Sequence, residues 1–354
     1  MTLDKNTINY KFSVFMLFFL FLLVGCGDNS AQKSTSSPQV QAVTGNEAQT
    51  PSAPELKVLR VPSPANEPTS PSSLIVGEEL GFFKKNGIKL DFVGVIPSPQ
   101  YVAALVSDRI DVSPGAHINR TIAGISAGAK ILAVVGNTET TKRIPHMIGV
   151  VPKNSPIKGP KDLVGKKIGI PTIGGCNEYT PYAWLAKAGI EDPKSKIEVL
   201  VLPEKNLEQV LRQGEIDLAM LHKTPEEIVR KGEFEIVFSD YDIWGTDGGA
   251  TPPYFRIDFI KQHPDTVRSF VTAVAETLNW SNANPYEARA ITAKRTNTDI
   301  SFINERYYTP NGIIRPETAS VWIELLTAFE EIKPGVTLDQ IFTNEFNPFY
   351  KTSS

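Results

Sequence analysis

Histidine and cysteine are scarce in this chain: its 354 residues hold four of the first and two of the second. The histidines, at 117, 146, 222 and 263, are widely spread, and none pairs with another at metal-ligand spacing, so no metal site is expected. A G-x-S-x-G elbow, a Walker loop, a dinucleotide G-x-G-x-x-G and an H-E-x-x-H are all missing, so no motif argues for an enzyme or a cofactor. An excess of one charge is missing too. Thirty-six Lys and Arg face 39 Asp and Glu, for a net charge of −3, which leaves no electrostatic footprint for nucleic acid. Nor is there an apolar run of the about 20 residues that a spanning helix needs. The N-terminal run, Phe12 to Val24, has 13.

That run follows Lys5 and Lys11 and has the length of a secretory signal core, which places a signal peptide over residues 1–25. It ends in "LVGC", Leu23 to Cys26, which resembles a bacterial lipobox and makes Cys26 the lipidated residue after cleavage. Cys176 then has no partner for an internal disulfide, although the compartment would be oxidising. It is either a small buried hydrophobe or a residue lining a site. Residues 26–55 are rich in Ser, Thr, Gln, Pro and Ala and have almost no large apolar side chains. They cannot bury enough surface to offset their ordering entropy, so they read as a disordered tether, spanning about 30 Å root-mean-square.

From Leu56 the pattern becomes globular. "LKVLRV" and "IKLDFVGV" read as strands, "LIVGEELGFFKKNG" as a helix, and "PSPQYVAALVSDR" as a helix with Ser98 as N-cap. "IDVSPGAHI" reads as a third strand with its exit turn, "NRTIAGISAG" as a helix and "KILAVVGNT" as a fourth strand. The same programme restarts near residue 152. After Phe259 the chain turns mostly helical, with Pro264, Pro285 and Pro316 at plausible helix starts. Alternating strands and helices indicate α/β sheets covered on both faces. Two such sheets joined by a hinge, with C-terminal helices, give a first lobe over 56–151, a second over 152–248, and a return to the first over 249–354.

Ligands of open α/β sheets sit at the carboxyl ends of strands. Those ends supply Ser63, Asn66, Ser98, Gly115, His117, Thr138, Gly174, Gly175, Cys176, Asn177, His222, Lys223, Asp242 and Trp244 as candidate ligand-binding residues. In "GIPTIGGCNEYTPYAWLAKAG", Gly169 to Gly189, glycines let the backbone approach a ligand closely, and a helix N-terminus adds donors and partial positive charge. Thr180 and Pro181 are an alternative start for that helix. Glu178 sits close enough to occupy its positive end, or to bind a cationic ligand. Lys223 is a carboxylate or sulfonate partner or a surface lysine. His117 is a site residue or a structural one. Trp244 stacks on a ligand or packs at a hinge.

"EELGFFKKNGIKLDF", "YVAALVSDRIDVSPGAHI", "DLVGKKIGIPTIGG", "LEQVLRQGEIDLAML" and "FIKQHPDTVRSFVTAVAETLNWSNANPYEA", in that order, resemble the periplasmic substrate-binding components of ABC importers, in the nitrate/sulfonate/taurine and thiamine-precursor group. The resemblance covers roughly Leu56 to Lys333. It implies a two-lobed type II periplasmic-binding-protein fold with mixed sheets, closing by a hinge over a small organic solute such as a sulfonate, a carboxylate or a thiamine precursor. It implies a monomer at the cell envelope, anchored in the membrane through its N-terminal lipid, with a permease and an ATPase as partner chains. It places ligand against the loop from Ser63 onward, the "SPGAHI" turn and the "GGCN" turn. The pattern departs from the group at "HKTP", which keeps Pro225 but not an aromatic residue, and at "GGCNEY". Thiamine-pyrimidine synthases share the fold but carry a cysteine-rich run absent here. An anchored enzyme of that kind, or a receptor presenting ligand to a membrane sensor, are the alternative readings.

Overall fold

The computed structural model describes residues 56–65 and 68–351. The signal-like segment, Cys26, the tether and Asn66 lie outside the described residues. In chain order the elements are β1 (Lys57–Ser63), α1 (Ser73–Glu79), α2 (Phe82–Lys85), β2 (Ile88–Val95), α3 (Tyr101–Val106), α4 (Ile118–Ser126), β3 (Ile131–Ala133), β4 (Thr138–Glu139), β5 (Ile148–Pro152), β6 (Lys167–Ile170), α5 (Cys176–Lys187), β7 (Glu198–Val201), α6 (Glu204–Arg212), β8 (Leu218–Leu221), α7 (Pro225–Lys231), β9 (Phe234–Ser239), α8 (Asp240–Trp244), β10 (Tyr254–Arg256), α9 (Ile257–Gln262), α10 (Pro264–Ala283), α11 (Pro285–Thr296), β11 (Tyr307–Tyr308), α12 (Glu317–Ala328) and α13 (Leu338–Ile341).

One lobe is built on a five-stranded sheet of order β7-β6-β8-β5-β9. β6 runs parallel to β7 and β8, and β5 runs antiparallel to β8 and β9. The parallel pairs need crossovers, which α5 and α6 supply. The central strand β8 is apolar on both faces: Leu218, Ala219, Met220 and Leu221 are all fully buried, as a sheet covered on both sides demands.

The other lobe has short ladders among its described residues. β1 pairs in parallel with β2, while β10 pairs antiparallel with β3 and β11 with β4. The last two ladders join residues before 140 to residues after 250, so the chain leaves this lobe and returns to it. The segment "IDVSPGAHI" is not a strand. It makes a single bridge, Val112 to Phe255, because Pro114 and the positive φ of Gly115 stop a ladder from extending. The 20-residue α10 lays Phe270, Val271, Val274 and Leu278 onto Leu59, Val61, Leu90 and Phe255. Each such side chain contributes about 1.5–3 kcal/mol by leaving water.

The two crossings between the lobes, near residues 139–147 and 240–251, are tied together by buried polar bonds. Thr140 Oγ1 donates to Asp240 Oδ2. Met147 N donates to Asp240 Oδ1 at 3.0 Å, and Thr138 Oγ1 donates to the Gly249 carbonyl at 2.6 Å. α12 packs across the seam: Trp322 lies against Trp244 and Tyr179, and its indole donates to the Gly248 carbonyl at 3.2 Å. Among the described residues no helix is long and apolar enough to cross a membrane.

Candidate functional site

β6 ends in the turn that launches α5. Gly174 adopts φ +74, a left-handed conformation that an L side chain adopts only with strain. Gly175 is the N-cap, in extended conformation with no side chain to cap. A Cβ there would stand 2.5 Å from Asn177 Oδ1, so the turn leaves no room for one. The helix therefore starts at Cys176, with Thr180 and Pro181 inside it. Thr180 Oγ1 bonds back to the Cys176 carbonyl at 2.5 Å.

The polar groups of this turn are largely satisfied within the protein. The Gly174 amide donates to Glu178 Oε2 at 2.5 Å, so the positive end of α5 already has a carboxylate. The Gly174 carbonyl accepts from Asn119 Nδ2 at 2.9 Å, and the Ile173 carbonyl from Arg120 Nη2 at 2.5 Å. Both donors come from α4, so these bonds tie that helix to the turn. Asn177 Nδ2 donates to the Thr172 carbonyl at 2.6 Å.

Beside the turn, three histidines from distant parts of the chain converge. His117 is the N-cap of α4, His146 precedes β5 and His222 follows β8. The His117 and His146 rings meet edge to face at 5.6 Å, and the His146 and His222 rings at 5.1 Å. Cys176 Sγ lies 3.5 Å from His117 Nδ1. Glu204, at the start of α6, accepts from His222 twice, from the backbone amide and at ring Nδ1, each at 2.7 Å. Arg306, 5% exposed, donates to the Glu305 carbonyl at 3.1 Å and the His222 carbonyl at 3.4 Å. His146 is 5% exposed, and neither of its ring nitrogens has a hydrogen-bond partner.

Burial governs the charges here. It holds His146 and His117 well below the usual histidine range, helped by the cations of Arg306 and, for His117, Arg120. Burial pushes the Cys176 thiol up, with Asp240 adding to it. It raises the Asp240 carboxyl to about 6 against the Thr140 and Met147 hydrogen bonds. Burial also acts to raise Glu204, but His222 and Arg306 outweigh it and the net shift is down. At neutral pH His117 and His146 thus present neutral imidazoles, and Cys176 a protonated thiol, beside a buried guanidinium.

The structure brings His117, Gly174, Gly175, Cys176, Asn177 and His222 together. Gly115 and Thr138 stand nearby at the crossing. A Cβ on Gly115 would meet the Thr251 carbonyl at 2.7 Å, and Thr138 bonds the Thr251 hydroxyl at 2.6 Å. Ser98 does not cap a helix through its side chain. It lies in a 3-10 turn capped by Pro97, and its hydroxyl accepts from Arg120 Nη1 at 3.1 Å. Ser63 lines a separate groove with Phe92, Gly94 and Arg295. Lys223 pairs with Glu208 at 3.2 Å, Asp242 caps α8 by accepting from Ser239, and Trp244 packs on Trp322 at 4.8 Å. Sequence reasoning did not single out Arg306, Glu204, Asp240 or Asn119, and it left His146 as one spread histidine among four. The one sequence signal for His146 is a histidine entering an otherwise apolar strand, "PHMIGVV".

The architecture is that of the two-lobed type II periplasmic binding proteins. The aliphatic sulphonate binding protein SsuA of Escherichia coli matches with a TM-score of 0.61 at 17% identity, over 78% of this chain and 92% of that one. The desulfurization enzyme DSZB shares the fold at a TM-score of 0.56 and 15% identity, over 82% of this chain and 97% of that one. The chain belongs to the NMT1/THI5-like family, whose model matches residues 69–288. It is 21% identical over 285 residues to the nitrate/nitrite binding protein NrtA of Nostoc sp., covering 73% of this chain and 62% of that protein's length.

Proposed function

We propose that this chain is the solute-binding component of an ABC importer and that it captures a small anionic organic solute, a sulfonate or a carboxylate, where its lobes meet. The observation that carries this reading is Arg306. A guanidinium has five donors, and this buried one donates to two backbone carbonyls, with the Glu204 and Asp240 carboxylates near it but not bonded to it. A buried cation with donors to spare is matched by a planar or tetrahedral anion. The NrtA and SsuA relatives are named for binding such anions, which supports the class and leaves the particular solute open. Solute that touches both lobes favours their closed arrangement, and a permease with its ATPase would recognise that arrangement. The N-terminal signal and Cys26 would hold the protein at the outer face of a membrane by lipid, as a monomer.

The DSZB likeness makes turnover the competing reading. A thiol pushed up by burial is a weak nucleophile, which favours binding. A thermal-shift screen of methanesulfonate, nitrate, acetate and a pyrimidine separates the two. A specific solute at a hundred times its Kd stabilises by about 2.7 kcal/mol, roughly 5 °C for a chain of this size. An Arg306→Leu protein that folds should lose that shift. The reading fails if no solute stabilises the chain, or if purified protein converts the solute that does.

A further inference from the structure

We propose that His117, His146 and Cys176 form a site for a soft divalent transition-metal ion, zinc above others, seated between the lobes. The ligand atoms of these three residues all lie within 4.8 Å of one another. Two donors on one tetrahedral zinc stand about 3.4–3.6 Å apart, given bonds of about 2.1 Å to nitrogen and 2.3 Å to sulfur. Cys176 Sγ and His117 Nδ1 are already at 3.5 Å. A small shift of the His146 ring, from within 4.8 Å of the other donors, would complete the set.

The second, independent observation is His146 itself. A buried polar group is ordinarily hydrogen-bonded, because leaving it unpaired costs about 1–3 kcal/mol. This ring is 95% buried and both its nitrogens are unpaired, in contact with two other imidazole rings. Packing alone would be served better by an apolar side chain. A metal supplies the missing partner.

Two imidazoles and a thiolate suit zinc, and three protein ligands leave a fourth position open. On binding, the Cys176 thiol gives its proton to solvent. The ion and thiolate together then carry one positive charge, next to Arg306. That charge and the open position select an anionic donor. This last step rests on the solute-binding reading above; the metal site does not.

The test uses the full chain, freed of metal with a chelator and titrated with zinc by calorimetry and with cobalt(II) by absorption. The expected result is one ion per chain with an intense sulfur-to-cobalt band. Cys176→Ser removes the band, and both Cys176→Ser and His146→Leu weaken zinc binding about tenfold or more. A weak octahedral cobalt spectrum overturns the proposal. So does a band that survives in Cys176→Ser, which would assign the thiolate to Cys26. So does equal zinc affinity in all three proteins. Melts with methanesulfonate, with and without zinc, separate the two ideas. Stabilisation by the anion only when zinc is bound supports the open position, and stabilisation of both forms alike overturns it. Zinc binding with no response to any solute in the screen sinks the importer reading and leaves the metal.

Discussion

His146 and His222 meet ring to ring, 5.1 Å apart, yet the two ends of this contact are built differently. At the end of β8, His222 is tied at its backbone and its ring to the Glu204 carboxylate. Before β5, the His146 backbone amide is held by Thr140, and its ring is held by nothing. The glycine turn of α5 sides with His222, since its amide and carbonyl are already bonded within the protein. A fold can satisfy its buried polar groups or leave them for something that arrives later. Here both occur a few ångströms apart, and the unsatisfied ring is where the proposed metal would bind.

Breaking the satisfied side should cost stability first. In Glu204→Ala, the His222 amide and ring lose a charged acceptor in a largely buried place. The expected loss is about 3 kcal/mol, read as a lower denaturant midpoint at unchanged slope. The pH dependence follows from the depressed carboxyl. Its contribution is fully present above the ordinary glutamate pKa of about 4.3 and disappears as pH falls through its lower folded value. The gap between wild type and variant should therefore narrow on the acid side. A constant gap from pH 7 to pH 3 would mean that Glu204 acts through packing and not through its charge.

The α5 turn gives a smaller loss. Gly175→Ala puts a Cβ 2.5 Å from Asn177 Oδ1, so the Asn177 side chain must swing away and lose the bond that its Nδ2 donates to the Thr172 carbonyl. About 2 kcal/mol of stability should go, and solute affinity should fall with it because Cys176 and His117 are placed by the same turn. A variant as stable as wild type would show that the turn tolerates a side chain and that its glycine has another cause.

Much of this architecture is legible in the sequence, for local reasons. β2 fills "IKLDFVGV", α10 starts at Pro264, and α11 starts at Pro285, because apolar period, turn residues and helix-start prolines act within a few residues of themselves. "IDVSPGAHI" reads as a strand because its apolar residues have strand spacing, yet its one strand-like contact is with Phe255, far along the chain. The candidate site was half legible. Gly174 and Gly175 announce a turn wherever they stand. That His146 meets His117 and His222 depends on how three separate loops fold together, and no spacing encodes it. Arg306 sits in "NERYY" with nothing local to separate it from a surface arginine. It is buried by the return of the chain through β11.

The unsatisfied side makes the opposite prediction. His146→Leu removes two unpaired buried nitrogens and keeps an apolar volume in place. Stability should stay level or rise by up to about 1 kcal/mol, while binding of a stabilising solute weakens about tenfold. A loss of 2 kcal/mol or more in a thermal melt would show that the ring is bonded within the folded protein after all, and the contrast with His222 would collapse.

The smallest effect belongs to Lys223, one residue past His222 and chemically the more obvious partner for an anion. Its ammonium is 3.2 Å from Glu208 Oε1, and Glu208 also takes Lys231 at 2.5 Å. Lys223→Ala leaves Glu208 with one cation in place of two. Both side chains of the Lys223 pair are largely shielded, at 20% and 15% exposure, but Glu208 keeps Lys231, so the melt should move by no more than about 1 kcal/mol, the upper end for surface pairs. Solute affinity should not change, because the ammonium of Lys223 is already bonded on α6, whereas the guanidinium of Arg306 donates only to carbonyls and keeps donors free, with Glu204 and Asp240 near it but not bonded to it. A tenfold loss of affinity in Lys223→Ala, with Arg306 intact, would move the anion-facing cation from β11 to the end of β8. It would reverse the ranking of satisfied and waiting groups on which the comparison stands.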